Sequence, residues 1–156
     1  MRTLQGKLKA KGFKIAVVVS KFNSFLSDRL LEGAREALEK TGAEEADLTV
    51  YKVPGSFEVP LIAKKVAAAR AADGILCIGA LVRGDTPHFD FLSAEVTKGL
   101  AQVAMEEGVP VSFGILTVDT IEQGIERSGT KAGNKGYEAA LALVEMLNLV
   151  KDAGLK

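Results

Sequence analysis

The feature that most constrains the fold is an uninterrupted apolar run at residues 74–82, which ends abruptly in a polar turn. A run of this kind is typical of a strand buried on both faces, as in a parallel sheet. The turn at residues 83–87 brings charges, a hydroxyl group, glycine and proline, and the only histidine of the chain, His88, follows it directly. The run therefore predicts a central strand that carries polar groups at its carboxyl end.

Strands and helices are predicted to alternate on both sides of this run. Segments rich in β-branched and other apolar residues predict three further strands, at 14–20, 47–53 and 111–117. Apolar residues at helical spacing predict the longer helices, at 25–40, 57–72, 89–107 and 137–150. Because the connections are too long for hairpins, we expect parallel strands joined by right-handed crossovers. The predicted fold is α/β, a three-layer α/β/α flavodoxin-like arrangement with a four-stranded parallel sheet.

Local signals set the predicted helix boundaries. Gly108 marks the end of one helix, since glycine is common directly after a helix. Ser56 is the expected N-cap of helix 57–72. Asp119 or Thr120 is expected to cap a short helix that ends at residue 127.

Two further segments have a weaker pattern. Residues 4–8 predict a short strand, which would be loose at a chain terminus unless it pairs with a neighbouring subunit. Residues 128–136 are rich in glycine and predict a loop.

Length and composition exclude several classes of protein. The chain has 156 residues, enough for one domain spanning 1–156. Twenty basic and twenty acidic residues balance, which argues against nucleic acid or an anionic membrane as a partner. One histidine and one cysteine cannot build a metal centre of the usual kind. No apolar run approaches the roughly 20 residues that span a bilayer. Without a signal-peptide pattern, and with Cys77 inside the apolar strand, a cytoplasmic location is expected.

Polar and aromatic residues collect near the carboxyl ends of the predicted strands. Parallel strands end at the same edge of a sheet, and open α/β sheets bind their ligands there. The residues near these ends are Phe22, Asn23, Ser56, Phe57, Glu58, Arg83, Asp85, Thr86, His88 and Phe113. We expect them to converge on one crevice.

His88 is the candidate for proton transfer at this edge. The unperturbed pKa of imidazole lies close to neutrality, so the group can accept and return protons under ordinary conditions. A lone histidine can equally be a surface or capping residue, and spacing alone leaves the two interpretations level.

Other residues at the edge also allow two interpretations. Phe22 and Phe57 lie on loops and offer a stacking surface for a ring, or they pack as a hydrophobic lid. Glu58 accepts hydrogen bonds from a polyhydroxyl ligand, or it complements the positive end of a helix dipole.

A phosphate group is the anion for which the chain offers candidate ligands. Backbone amides at Asp85 and Thr86 could hold phosphate in a turn before a helix, although the carboxylate of Asp85 opposes this. Arg127 is the natural anion anchor, because a guanidinium forks onto phosphate oxygens, and Lys135 lies close in sequence.

Several separate motifs, in this order, resemble the lumazine synthase family from end to end. They are the segments 20–23, 53–60, 83–90, 113–117 and 133–136. The resemblance implies condensation of 5-amino-6-(D-ribitylamino)uracil with 3,4-dihydroxy-2-butanone 4-phosphate, which releases phosphate and water. Phe57 stands where the family often has tryptophan, and Asp85 stands where others carry a small residue. Neither departure removes a group that the chemistry needs.

The resemblance also implies the roles of individual residues. His88 would be the proton-transfer residue and Phe22 the ring-stacking aromatic. Further substrate contacts would fall on Asn23, Ser56, Phe57, Glu58, Ala80, Leu81, Val82, Asp85, Thr86, Arg127, Lys135 and, from an adjacent subunit, Phe113. No cofactor or metal is implied.

The family assembles as homopentamers, so the resemblance also implies a site shared between neighbours. The amino-terminal strand would join the sheet of an adjacent subunit. Some members form an icosahedral shell of sixty subunits, and the short loop at residues 128–135 resembles that of the shell-forming members.

Two other functions compete with this interpretation. A flavodoxin-like flavin carrier or phospho-receiver is disfavoured, because residues 21–24 lack a phosphate loop and the first strand ends without paired acids. A catalytically idle shell protein of the same fold is disfavoured by the joint presence of Phe22, Glu58, His88 and Arg127.

Overall fold

A computed structural model describes residues 1–130 and 133–155 of the chain. Its main strands are β1 (Ile15–Ser20), β2 (Leu48–Val53), β3 (Gly74–Val82) and β4 (Val111–Val118). Its helices are α1 (Ser24–Lys40), α2 (Val59–Ala68), α3 (His88–Glu107), α4 (Ile121–Arg127) and α5 (Lys135–Asp152). Two short strands, β5 (Ser128–Thr130) and β6 (Gly133–Asn134), lie between α4 and α5. None of the helices in the described ranges combines the length and apolarity needed to cross a membrane.

The four main strands form one parallel sheet in the order β2-β1-β3-β4. The central strand β3 pairs with β1 and β4, and its residues are buried except for the half-buried Val82 at its end. This confirms the interpretation of the apolar run as an interior strand of a parallel sheet. It also confirms the predicted α/β class with a four-stranded sheet between helices.

Helices cover both faces of the sheet, which gives the predicted three layers. On one face, α1 and α5 bury a cluster that includes Leu26, Leu30 and Leu143. On the other face, α2 and α3 bury a cluster that includes Val59 and Val96. Leucine and alanine recur at helical spacing along α1, so a single stripe of that helix faces the sheet.

The predicted start of the second helix was wrong in its detail. Residues 56–58 form a 3₁₀ turn, α2 begins at Val59, and the Ser56 side chain makes no capping bond. The Glu58 carboxylate instead accepts a hydrogen bond from the Gly55 amide at 3.0 Å. Gly55 therefore takes the N-cap position expected of Ser56, and Glu58 satisfies its backbone amide.

Helix α2 also ends earlier than residue 72, the predicted end. Arg70 adopts a left-handed conformation with φ of 52°. The Arg70 amide donates to the Ala67 carbonyl and the Ala71 amide to the Val66 carbonyl, which is the Schellman pattern of a helix end. The alanine-rich sequence carries no stop signal, and the chain turns here to enter β3.

The segment predicted as a glycine-rich loop contains regular structure in its described part. Strands β5 and β6 pair antiparallel, and α5 begins at Lys135. The Asn134 side chain accepts a hydrogen bond from the Tyr137 amide at 3.0 Å, and it donates to the Arg29 carbonyl at 2.9 Å. One asparagine therefore caps α5 and ties its start to α1.

The amino-terminal segment runs along α5 and forms no strand within the described chain. The Asn148 side chain donates to the Lys9 carbonyl at 2.9 Å. Gly6 approaches the helix so closely that an added Cβ would lie 1.8 Å from the Glu145 carbonyl oxygen. Leu4 and Leu8 are exposed. Pairing of residues 4–8 with a neighbouring sheet stays a prediction.

Candidate active site

A cleft of about 360 Å³ opens at the carboxyl edge of the sheet, where β1, β2 and β3 end. Eight of the predicted site residues line it, namely Phe22, Asn23, Ser56, Phe57, Leu81, Val82, Thr86 and His88. A larger, open groove of about 770 Å³ lies between α1 and the paired strands β5 and β6, and none of the predicted site residues lines it. The convergence expected from a parallel sheet is therefore observed for the loops after the first three strands.

The loop after β1 is held on both sides of Phe22. The Lys21 amide donates to the Val53 carbonyl at 2.8 Å, and the Phe22 amide donates to the Pro54 carbonyl at 3.0 Å. Asn23 adopts a left-handed conformation with φ of 56°, and its side chain donates to the Ala80 carbonyl at 2.9 Å. These bonds fix the backbone while the Phe22 ring remains 69% exposed. The ring is thus presented to the cleft on a rigid loop.

The loop after β2 contributes one buried and one exposed residue. Ser56 is 4% exposed, whereas the Phe57 ring is 66% exposed. Glu58 does not line the cleft, and its carboxylate is occupied by the Gly55 amide. Two flat aromatic surfaces, Phe22 and Phe57, therefore border the same opening.

Ser20 and Ser56 place two buried hydroxyl groups against Gly79. Ser20 is 1% exposed, and its hydroxyl has no hydrogen-bond partner among the described residues. A Cβ added at Gly79 would lie 2.6 Å from the Ser56 hydroxyl oxygen and 2.8 Å from that of Ser20. Gly79 therefore leaves the space that both hydroxyl groups occupy.

The loop after β3 carries the histidine to the edge of the cleft. His88 is the first residue of α3, it is exposed, and its amide donates to the Thr86 hydroxyl oxygen at 3.4 Å. Thr86 lines the cleft and Asp85 does not. An imidazole and a hydroxyl group thus line the same cleft as the two aromatic rings.

Arg83 lies outside this cleft and is held by two carboxylates. Its Nε donates to Asp119 at 2.8 Å, and its Nη1 donates to Asp90 at 3.0 Å. The guanidinium also lies 4.5 Å from the centre of the Phe89 ring. The hydrogen bonds to Asp119 and then to Asp90 raise the pKa of Arg83. Its charge is therefore already compensated within the chain.

Besides Glu58, Ala80 and Asp85, three predicted residues from β4, α4 and α5 do not line the cleft of their own chain. Phe113 lies in the middle of the edge strand β4 and lines a separate apolar cleft of about 400 Å³ with Met146 and Val109. Arg127 donates to the Gln123 carbonyl at 3.3 Å, and Lys135 pairs with Glu138 at 3.0 Å. The expected convergence of Phe113 with the other loops does not occur within one chain.

Two residues singled out from the sequence, Ala80 and Cys77, lie within the central strand β3. Ala80 is 1% exposed, and its carbonyl oxygen serves the Asn23 side chain. Cys77 is fully buried, and burial raises the pKa of its thiol. A buried protonated thiol is a poor nucleophile. Across residues 1–130 and 133–155, no three His, Cys, Asp or Glu side chains group as metal ligands would.

Besides the backbone of Gly55 and Gly84, the cleft is lined by two side chains that sequence reasoning missed, those of Phe89 and Leu92. Both follow His88 on α3, and Leu92 lies one helical turn after it on the same face. The helical spacing from His88 was the signal that could have found Leu92.

Comparison with known proteins assigns a family to this arrangement. The profile of the family described as 6,7-dimethyl-8-ribityllumazine synthase matches residues 12–151. The chain belongs to this family.

Two named relatives agree with the family match. The chain is 58% identical over 147 residues to the 6,7-dimethyl-8-ribityllumazine synthase of Desulfotalea psychrophila, which covers 94% of this chain and 95% of the relative. It is 54% identical over 147 residues to the enzyme of the same name from Syntrophus aciditrophicus, which covers 94% of this chain and 96% of the relative. The similarity to lumazine synthases therefore extends over nearly the whole of each chain.

Proposed function

We propose that this chain is a 6,7-dimethyl-8-ribityllumazine synthase, a transferase of riboflavin biosynthesis. It condenses 5-amino-6-(D-ribitylamino)uracil with 3,4-dihydroxy-2-butanone 4-phosphate and releases phosphate and water. The observation that carries the proposal is one cleft in a member of this family, lined by an aromatic platform at Phe22, a hydroxyl at Thr86 and the imidazole of His88.

The pyrimidine substrate is assigned to the aromatic end of the cleft. Phe22 offers an exposed ring face, and Leu81 and Val82 supply an apolar wall beside it. Offset stacking on an aromatic ring suits a flat heterocycle. Ser56, Phe57 and Glu58 lie on one turn and are assigned to the polar edge of the ring and to the ribityl chain, with Asn23 and Ala80 as further contacts.

His88 is assigned the proton transfers. Attack of the amine on the ketone, Schiff-base formation, loss of phosphate and ring closure each move protons near neutral pH, and imidazole is suited to this. Both substrates are already reactive, so holding them together supplies much of the acceleration. The chain's own residues suffice for this scheme without a cofactor.

The phosphate group is assigned to the start of α3 and to cationic side chains. Thr86 lines the cleft and Asp85 does not, so the carboxylate of Asp85 does not face the proposed phosphate position. Free amides at a helix start attract anions. Arg127 and Lys135 would complete the phosphate site.

We further propose that the working site is shared between subunits of a homopentamer. Phe113, Arg127 and Lys135 lie outside the cleft of their own chain. In the assembly, these residues of one subunit would complete the cleft of its neighbour. Phe113 is 44% exposed on the edge strand beside other apolar side chains, and such a surface favours association. A cytoplasmic single-domain protein assembled into pentamers, or into a shell of sixty subunits, is the proposed form.

Variants of His88 and Arg127 separate the assigned roles. We expect His88→Ala to lower kcat by about a hundredfold or less, the lower end for a positioned acid–base group. Arg127→Ala should instead raise KM for the phosphate substrate, by about tenfold or more, because a charge-assisted hydrogen bond is lost. Arg35→Ala removes an exposed arginine that pairs with Glu45 at 3.1 Å, and it serves as the control. Abolished turnover in folded His88→Ala protein would contradict the assignment.

Mixed assemblies test whether the site is shared. His88→Ala and Arg127→Ala subunits, unfolded together and reassembled, should give a higher kcat/KM than either variant alone, because some sites then combine both native residues. Activity equal to the average of the two parents would place both residues in the same subunit's site.

The competing functions have their own signatures in the same experiments. A flavin carrier would bind riboflavin and form lumazine only at the uncatalysed rate. An idle shell protein would assemble and turn over neither substrate.

A further inference from the structure

Arg83 ties together three elements at the edge of the proposed active site. It follows the end of β3, its Nε bonds Asp119 after β4, and its Nη1 bonds both carboxylate oxygens of Asp90 at 3.0 and 3.1 Å. Asp90 lies in the first turn of α3, two residues after His88. A single guanidinium therefore joins the residue that follows β4 to the helix that begins with His88.

Apart from Arg83, the start of α3 is held by the packing of Phe89 and Leu92 on the core and by the bond from the His88 amide to the Thr86 hydroxyl oxygen. The residue at the N-cap position is Pro87, and no side chain caps the helix. The Asp90 amide donates to the Pro87 carbonyl at 3.1 Å, so Asp90 closes the first turn through its backbone while its side chain reaches Arg83. Arg83 is thus one of the groups outside the helix that set the position of this turn.

Phe89 gives Arg83 a second grip on the same turn. The Phe89 ring lines the cleft on one side, and on the other it lines an outer groove that also contains Arg83. The guanidinium lies 4.5 Å from the ring centre, within the range of a cation–π contact. Both residues that follow His88 along the helix are therefore held by Arg83.

The contacts of Arg83 lie within the chain and outside the cleft. Arg83 is absent from the cleft lining, and its charge is shared between two carboxylates. Lysine could not replace it, because only the planar fork of arginine reaches two carboxylates and stacks on a ring at the same time.

We propose that Arg83 is a positioning residue for the condensation, which holds the first turn of α3 so that the imidazole of His88 faces the bound substrates. The proposal rests on the proposed function, since it uses His88 as the proton-transfer group. Arg83 acts on the reaction only through the helix turn that it holds.

A double-mutant cycle tests this route of action. We expect Arg83→Ala to lower kcat by about tenfold, the size of effect that coupled neighbouring residues show. His88→Ala keeps part of the activity, so the effect of Arg83 can also be measured without the imidazole. The double variant should have the same kcat as His88→Ala alone. Arg83→Lys should fall close to Arg83→Ala.

A second, isosteric variant and a control variant complete the test. If Arg83→Ala folds poorly, Asp119→Asn takes its place in the cycle. It removes one charge and leaves the bond between Arg83 and Asp90, so it should lower kcat by less than the amount expected for Arg83→Ala. Arg35→Ala, the matched arginine on α1, should leave kcat unchanged.

Two results would overturn the proposal. One is an unchanged kcat in folded Arg83→Ala and Asp119→Asn. The other is a further loss in the double variant as large as the loss in the native background, which would show that Arg83 acts independently of His88. Wild-type protein that forms no lumazine above the background rate would overturn the proposed function instead, and the cycle is read only in an active enzyme.

Discussion

The Asn23 side chain links the loop that carries Phe22 to the central strand β3, and its replacement should lower the free energy of unfolding by an amount that follows from the structure. Asn23→Ala removes the bond from the side-chain amide to the Ala80 carbonyl, worth about 1 kcal/mol of unfolding free energy. It also places alanine at φ of 56°, where a Cβ-bearing residue other than Asn or Asp loses about 1 kcal/mol. The expected total is about 2 kcal/mol.

Asn23→Gly separates the two contributions. Glycine accepts the left-handed conformation without strain but cannot make the bond, so we expect it to lose about 1 kcal/mol, half of the alanine effect. Both variants free the loop from the central strand and should raise KM for the pyrimidine substrate, because Phe22 is the neighbouring residue.

Urea unfolding followed by far-ultraviolet circular dichroism measures the stability difference, since the chain has no tryptophan. Protein concentration must be equal in all samples, because assembly contributes to the unfolding midpoint. If Asn23→Ala and Asn23→Gly were equally stable, the strain argument would fail. If both matched the wild type, the hydrogen bond would contribute nothing.

Three further predictions concern the aromatic platform at Phe22, the close packing at Gly79 and the buried thiol of Cys77. Phe22→Ala should raise KM for the pyrimidine substrate by about tenfold with kcat less affected, since a stacking surface is lost; an unchanged KM would contradict the platform. Gly79→Ala should destabilise the fold by about 1–3 kcal/mol through contact with the Ser20 and Ser56 hydroxyl groups, whereas Gly84→Ala, with no atom within 4 Å of the new Cβ, should not. Burial raises the pKa of Cys77 in the folded state, so its stabilising effect is complete below the unfolded pKa of about 8.5 and declines above it by about 1.4 kcal/mol per pH unit. Urea midpoints from pH 7 to 10 should therefore fall more steeply for wild type than for Cys77→Ala. Parallel curves would show that folding does not raise the pKa of Cys77.

The sheet could be predicted from the sequence because strand signals and topology act locally. The apolar run at Gly74–Val82 has no charged residue and is bounded by turn residues, which is typical of an interior strand of a parallel sheet. Once the strands are parallel, the loops that follow them must share an edge. That argument alone brought Phe22, Ser56 and His88 to one cleft.

The boundaries that failed depend on conformations that sequence does not mark. The left-handed turn at Arg70 ends α2 inside an alanine-rich stretch. The helical turn at residues 56–58 starts after Gly55, whose amide donates to Glu58, although Ser56 is the better capping residue by type.

The rest of the site depends on geometry between distant segments or between chains. Asp119 is separated from Arg83 by 36 residues, so spacing could not reveal their contact. Phe113, Arg127 and Lys135 have suitable side chains, but their position relative to the cleft is set by subunit assembly in the proposed form. A sequence motif identifies such residues without showing which subunit provides them.

The central claim is that the cleft at His88 catalyses lumazine formation, and a turnover assay with purified protein tests it most directly. The two substrates are mixed with the wild type and with His88→Ala, and lumazine absorbance and released phosphate are followed together. We expect one phosphate per lumazine, a wild-type rate far above background and a lower but measurable rate for the variant. Formation at the uncatalysed rate by folded, assembled wild-type protein would contradict it.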